Sequence, residues 1–90
     1  MPTLDDLAKL ASQLYKGNPS IGAYEDLRWI GWDQDAATSL GFTSYDFRLW
    51  SGESPYSGFA YYRFFASWES RWNFSDRSGS SYIQAVCIVD

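Results

Sequence analysis

Apolar positions near the start of the chain recur at helical spacing: Leu4, Leu7, Ala8, Ala11, Leu14 and Tyr15 fall on one face. Thr3 stands before them as an N-cap with Asp6 three residues on, and Gly17, followed by Asn18-Pro19, supplies a left-handed stop. The pattern predicts a helix over 4–16. Residues 20–32 keep no period and hold two glycines and two tryptophans, which reads as an ordered, partly buried loop. A shorter helix fits 33–40, capped by Asp33, with Ala36, Ala37 and Leu40 turned inward and Gly41 ending it.

After Thr43 the period changes to two. Over 45–50, Tyr45, Phe47 and Leu49 alternate with Asp46 and Arg48, and 51–58 is a turn region of Ser, Gly and Pro. Over 59–68 one side reads Ala60, Tyr62, Phe64, Ala66, Trp68 and the other Phe59, Tyr61, Arg63, Phe65, Ser67. The first set is assigned to the core because the second contains Arg63 and Ser67. A turn at 69–71 leads to a strand over 71–77, in which Trp72 and Phe74 oppose Arg71, Asn73, Ser75 and Arg77. Residues 82–89 are almost continuously apolar, as a strand covered on both faces must be, and are assigned to the centre of the sheet. Helices first and strands after predict an α+β domain: two helices from about 1–43 packed on a twisted antiparallel sheet from about 44–90.

Ninety residues make a single domain that buries roughly 60% of the surface its unfolded chain exposes. Aromatic residues make up 20% of it, as five Trp, seven Tyr and six Phe. So small a core cannot enclose that many large rings, so several must lie at the surface. The net charge is −4, and the excess sits in the first half, where Asp5, Asp6, Glu25, Asp26, Asp33 and Asp35 outnumber Lys9, Lys16 and Arg28. An acidic chain without a basic stripe argues against nucleic acid as partner. No apolar run is long enough for membrane insertion, and no basic start followed by an apolar run marks a signal peptide in this chain.

The motif Trp50-Ser51-Gly52-Glu53, the run Ala60-Tyr61-Tyr62 and the closing Val86-Cys87-Ile88-Val89-Asp90 stand in an order that resembles the end of a C-type-lectin-like domain. The likeness is to its bacterial branch, the formylglycine-generating-enzyme-like, Fibrobacter succinogenes major paralogous and Lcl-type modules. Pro2-Thr3-Leu4 and the helix after it match the way those modules often open. The resemblance implies a compact C-type-lectin-like fold and a binding rather than a chemical role. A narrower likeness is to the variable proteins of diversity-generating retroelements, which display diversified residues in the last strands and loops of this fold. Residues 56–82 are rich in Tyr, Phe, Trp, Ser, Gly, Asn and Asp, the alphabet that antibody-like surfaces favour because rigid rings give contact area at low entropy cost.

On this reading the ligand-binding residues are Tyr56, Arg63, Phe65, Trp68, Glu69, Arg71, Trp72, Asn73, Asp76, Arg77 and Tyr82, taking a protein or a glycan. Trp68 and Trp72 would flank the turn at 69–71, where at least one ring must lie at the sheet's rim. Such a module belongs to a larger assembly, an adhesin or a receptor-binding tip at a cell surface, outside the cell or on a virion; free-standing, it belongs in the cytoplasm. Self-association into a homo-oligomer is left open.

Little in the chain supports catalysis. There is no His, and the single Cys87 lies within the most apolar run, where a thiol is expected to be buried and slow to react. The formylglycine-generating enzymes use two cysteines, so their chemistry is not carried over. Calcium-dependent lectins carry Glu-Pro-Asn or Gln-Pro-Asp and Trp-Asn-Asp; here Trp72-Asn73 is followed by Phe74 and neither tripeptide occurs. No cofactor and no metal are expected. Glu53 is assigned a structural role, its carboxylate accepting backbone N–H groups. The alternative function is a small acidic inhibitor from a phage or mobile element that uses the six first-half carboxylates to mimic the charge of a host protein's partner.

Overall fold

Thr3 and Asp6 cap α1 (Leu4–Leu14) reciprocally: the Asp6 N–H donates to Thr3 Oγ1 at 3.1 Å and the Thr3 N–H to Asp6 Oδ2 at 3.0 Å. The same bonds hold the Asp6 carboxyl below its ordinary pKa. Leu4, Leu7, Ala8, Ala11 and Leu14 are the buried stripe of this helix. The computed structural model describes residues 1–78 and 82–85. α1 ends two residues earlier than its periodicity predicts, because Tyr15 turns extended and pairs with Trp32. The Asp33 N–H then donates to the Leu14 carbonyl and the Lys16 N–H to the Gly31 carbonyl, both at 2.9 Å. Gly17 follows at φ 83°, turning the chain away.

The loop after it contains the short β1 (Leu27–Arg28). α2 (Gln34–Ser39) is capped by Asp33 Oδ1, which accepts from the Ala36 N–H at 3.1 Å. Ala37 is its buried residue. Leu40, expected inside, is 46% exposed. The helix has already ended there, and after Gly41 (φ 91°) the inner place is taken by Phe42, stacked 5.3 Å from Phe47.

β2 (Phe47–Trp50), β3 (Phe59–Phe65), β4 (Glu69–Asp76) and β5 (Ile83–Gln84) join β1 in a five-stranded sheet of order β1-β4-β3-β2-β5. The fold is α+β, and its sheet is mixed: β5 pairs with β2 in parallel, through Arg48 and Ile83, and the other pairs are antiparallel. Among the described residues β5 is therefore terminal in the strand order and not central. Val86, Cys87 and Ile88, on which the central-strand and buried-thiol expectations rest, lie outside the described residues. The β3–β4 turn is made by residues 66–68, not 69–71; the Ala66 N–H closes it on the Glu69 carbonyl at 2.9 Å.

The register reverses the face assigned to β3. Phe65 pairs with Phe47 and Ser70, Arg63 with Leu49 and Trp72, and Tyr61 with Phe74. Phe65 and Arg63 are both 0% exposed, and with Leu49, Leu27 and α1 they form the helix-covered side. Tyr62 and Phe64 point to the opposite side. Arg63 can lie inside because Nε and Nη2 find acceptors there: Nε donates to Ser70 Oγ at 2.8 Å, and Nη2 to the carbonyls of Glu25 at 2.8 Å and Ser70 at 3.3 Å. Tyr15, also buried, places its hydroxyl between the carbonyls of Ala66 and Glu69.

Candidate functional site

Moving along β3 away from Phe65, cover from the helices gives out. Tyr61 and Phe59 remain half-buried, and across from them on β4 lie Trp72, also half-buried, and the exposed Phe74. Two loops complete the group with Tyr24 and Tyr56, each 54% exposed. The six rings form a continuous ladder of edge contacts, with one tilted pair, Tyr56–Phe59. Tyr24 meets Trp72 at 4.9 Å and Tyr61 at 5.7 Å, Tyr61 meets Phe74 at 6.1 Å, and Tyr56 meets Phe59 at 4.7 Å and Phe74 at 5.8 Å. Such edge-to-face pairs are worth about 0.5–1.5 kcal/mol beyond area burial, so the rings brace one another while their outer edges stay in water. Asp26 anchors the loop side by accepting from the Trp72 N–H at 3.2 Å.

A second aromatic place lies at the β3–β4 turn. Trp68, at its tip, is 61% exposed, and Trp29 is 87% exposed with φ 66°. The Trp29 and Ile30 N–H groups both donate to the Trp68 carbonyl, at 2.8 and 3.3 Å, and the Trp32 N–H to that of Ser67 at 2.9 Å. The Trp68 ring lies over Gly31, 3.4 Å from where a Cβ would stand. Between the two indoles opens a cleft of about 260 Å³ lined by Arg28, Trp29, Trp68, Glu69 and Arg71.

The residues marked out by sequence do not form one site. Arg63 and Phe65 are core residues with no surface to offer, which corrects their assignment as ligand contacts. Tyr56 and Trp72 belong to the ladder; Trp68, Glu69 and Arg71 belong to the cleft. Asn73 shares a hollow with Glu69, Arg71 and Trp72, lined also by Arg48, Tyr62 and Phe64 of the sheet's other face, where Arg48 stands 4.3 Å over the Phe64 ring and 5.1 Å over that of exposed Tyr82. Asn73 accepts from the Phe74 N–H. Asp76 binds the Ser78 N–H and hydroxyl, which lowers its pKa, and Arg77 lines a separate hollow with Met1, Trp50 and Ala60. Sequence reasoning missed Trp29, Tyr24, Phe59, Tyr61 and Phe74. Only the surplus of rings pointed to them, and it could not say which of them face water.

Of the acidic residues, Asp6 and Asp33 cap helices, Asp5 pairs with Lys9 at 3.1 Å, Glu25 accepts from the Gly22 N–H at 2.8 Å, and Asp26 serves Trp72 and Arg28. Glu53 reaches the start of α1, its Oε1 accepting from the Leu4 N–H at 2.7 Å. Among the described residues no three His, Cys, Asp or Glu side chains gather as a metal site would need, and no helix is long and apolar enough to cross a membrane. Comparison with family models, with curated proteins and with solved structures found no match.

Proposed function

We propose that this chain is a non-enzymatic recognition module of the C-type-lectin-like kind that docks a protein ligand on the Tyr24–Tyr56–Phe74 ladder. The observation that carries it is the ladder itself: six rings braced in edge contact at the end of a sheet, three of them exposed. Rigid amphipathic rings of this kind, rich in tyrosine, are what protein-binding surfaces concentrate at their centres. The Glu53–Leu4 contact supports the C-type-lectin-like reading, because it gives the Trp-Ser-x-Glu motif a structural task. Charge mimicry finds less support, since five of the six first-half carboxylates hold partners within the chain.

The experiment uses the immobilised domain and compares proteins retained by the parent with those retained by Tyr24→Ala and Tyr56→Ala. Loss of a specific protein in both variants, at unchanged melting temperature, supports the reading. That retention should also survive from about 0.1 M to about 1 M NaCl, over which the screening length shrinks from ~10 to ~3 Å. Retention that ignores both substitutions and collapses with salt would overturn it in favour of the acidic inhibitor.

A further inference from the structure

We propose that the Trp29–Trp68 cleft is a metal-independent subsite for a neutral sugar ring. This goes beyond the protein-docking reading and stands on different residues. Trp29 is held at φ 66°, a left-handed conformation costly for any side chain with a Cβ, while its indole is 87% exposed and buries almost nothing in return. Strain kept by the surrounding structure at an exposed aromatic residue belongs to binding sites more than to scaffolds. Here the surroundings that keep it are identifiable. The Trp29 and Ile30 N–H groups converge on the Trp68 carbonyl, so the loop bearing one indole is fastened to the turn bearing the other.

The lining chemistry selects the ligand. Arg71 and Glu69 form a bidentate pair, with Nε to Oε2 at 3.1 Å and Nη2 to Oε1 at 2.9 Å, and Arg28 has Asp26 at 3.7 Å. Each guanidinium of the cleft thus has a carboxylate of the protein beside it, Glu69 in the lining and Asp26 outside it, so neither is an unpaired charge that would single out a phosphate, a carboxylate or a charged peptide. The cleft still offers hydrogen bonds, because a guanidinium has five N–H donors and a carboxylate about four lone-pair sites, more than the pair itself consumes. A sugar ring meets these conditions together. Its hydroxyls both donate and accept along the Glu69–Arg71 edge, and its C–H face, positively polarised, lies on the negative face of an indole. At about 260 Å³ the cleft falls just under the ~300–1,000 Å³ range of drug-sized sites, which suits one ring and not a peptide segment.

The test titrates the whole chain with neutral oligosaccharides, namely cellohexaose, xylohexaose, mannohexaose, maltohexaose, laminarihexaose and chitohexaose, while following the five indole N–H signals by NMR. At least one sugar should shift the Trp29 and Trp68 signals saturably, with and without EDTA and in about 1 M NaCl. Trp29→Gly should weaken that binding by about tenfold or more, while the melting temperature stays level or rises, because glycine accepts the left-handed backbone freely. A merely structural Trp29 would instead lower the melting temperature on removal. Tyr56→Ala, on the ladder, should leave the sugar titration unchanged, so the two readings fail separately. The proposal is overturned if no sugar in the panel moves these two signals, if EDTA abolishes the effect, or if Trp29→Gly binds as the parent does. It is equally overturned if the ladder's protein ligand proves to need Trp29.

Discussion

Arg63 and Ser70 face each other inside the sheet, Arg63 Nε donating to Ser70 Oγ at 2.8 Å while the Ser70 hydroxyl donates to the Phe64 carbonyl at 2.8 Å. A guanidinium is thus enclosed between β3 and β4, and burial lowers its pKa to about 10, which still leaves it charged at neutral pH. Nη1 has no hydrogen-bond partner among the described residues, so the charge is only partly compensated.

Removing one partner should therefore cost more than removing the charge. Ser70→Ala leaves Nε of a buried cation without an acceptor and should lose about 1–3 kcal/mol or more. Arg63→Met substitutes a flexible apolar chain of similar reach and should fall within about 1.5 kcal/mol of the parent or exceed it. Urea unfolding of both variants checks the order, and a milder loss for Ser70→Ala than for Arg63→Met would contradict it.

Tyr15 should make the fold sensitive to alkali. Burial raises its phenol pKa well above the usual 10.0, against the smaller opposing effect of its hydrogen bond to the Ala66 carbonyl. A raised folded-state pKa means that the contribution is complete below the unfolded value, near 10, and is lost as pH rises through the folded value. Above pH 10 the parent's urea midpoints should fall relative to those of Tyr15→Phe, with one tyrosine ionising only as the protein unfolds; the comparison cancels Arg63, whose lowered pKa acts in the opposite sense over the same range. Tyr15→Phe should lack that fall, from a baseline lowered by about 1–3 kcal/mol because the Ala66 carbonyl loses its donor, while that of Glu69 keeps the Ala66 N–H.

Glu53 fastens the turn after β2 to the first N–H of α1. Glu53→Ala should cost about 1–2 kcal/mol, the range of a lost N-terminal cap with its charge–dipole contribution, and Glu53→Gln should recover much of it. Equal losses in the two variants would mean that charge, not the hydrogen bond, carries the contact.

Trp29→Gly should gain up to about 1 kcal/mol, since the roughly 1–2 kcal/mol of left-handed strain is relieved and partly offset by the greater freedom of glycine in the unfolded chain. Trp29→Ala keeps the strain and should stay within about 0.5 kcal/mol of the parent. A large loss in either, by thermal melting, would show that the indole is part of the packing.

The elements legible in the sequence are those held by neighbours in the chain. The Thr3–Asp6 box, the Asp33 cap and the apolar stripe of α1 involve contacts three or four residues apart, so spacing alone specified them. The positions of β2 and β3 were also readable, because strand alternation and turn residues are local signals. Which face of β3 meets the helices was not readable: rings occupy both sides of the strand, and the one charge that broke the tie, Arg63, is hydrogen-bonded to Ser70 seven residues on and to the carbonyl of Glu25 thirty-eight residues back. A buried ion is recognisable only when its distant partners are in place. The same holds for the two tryptophans of the loop. Trp32 is drawn in by its pairing with Tyr15, whereas Trp29 is turned out by the bond of its own backbone to Trp68. The composition required that some rings meet water; the tertiary structure chose them, because strand register and loop anchoring decide where the helices' cover ends.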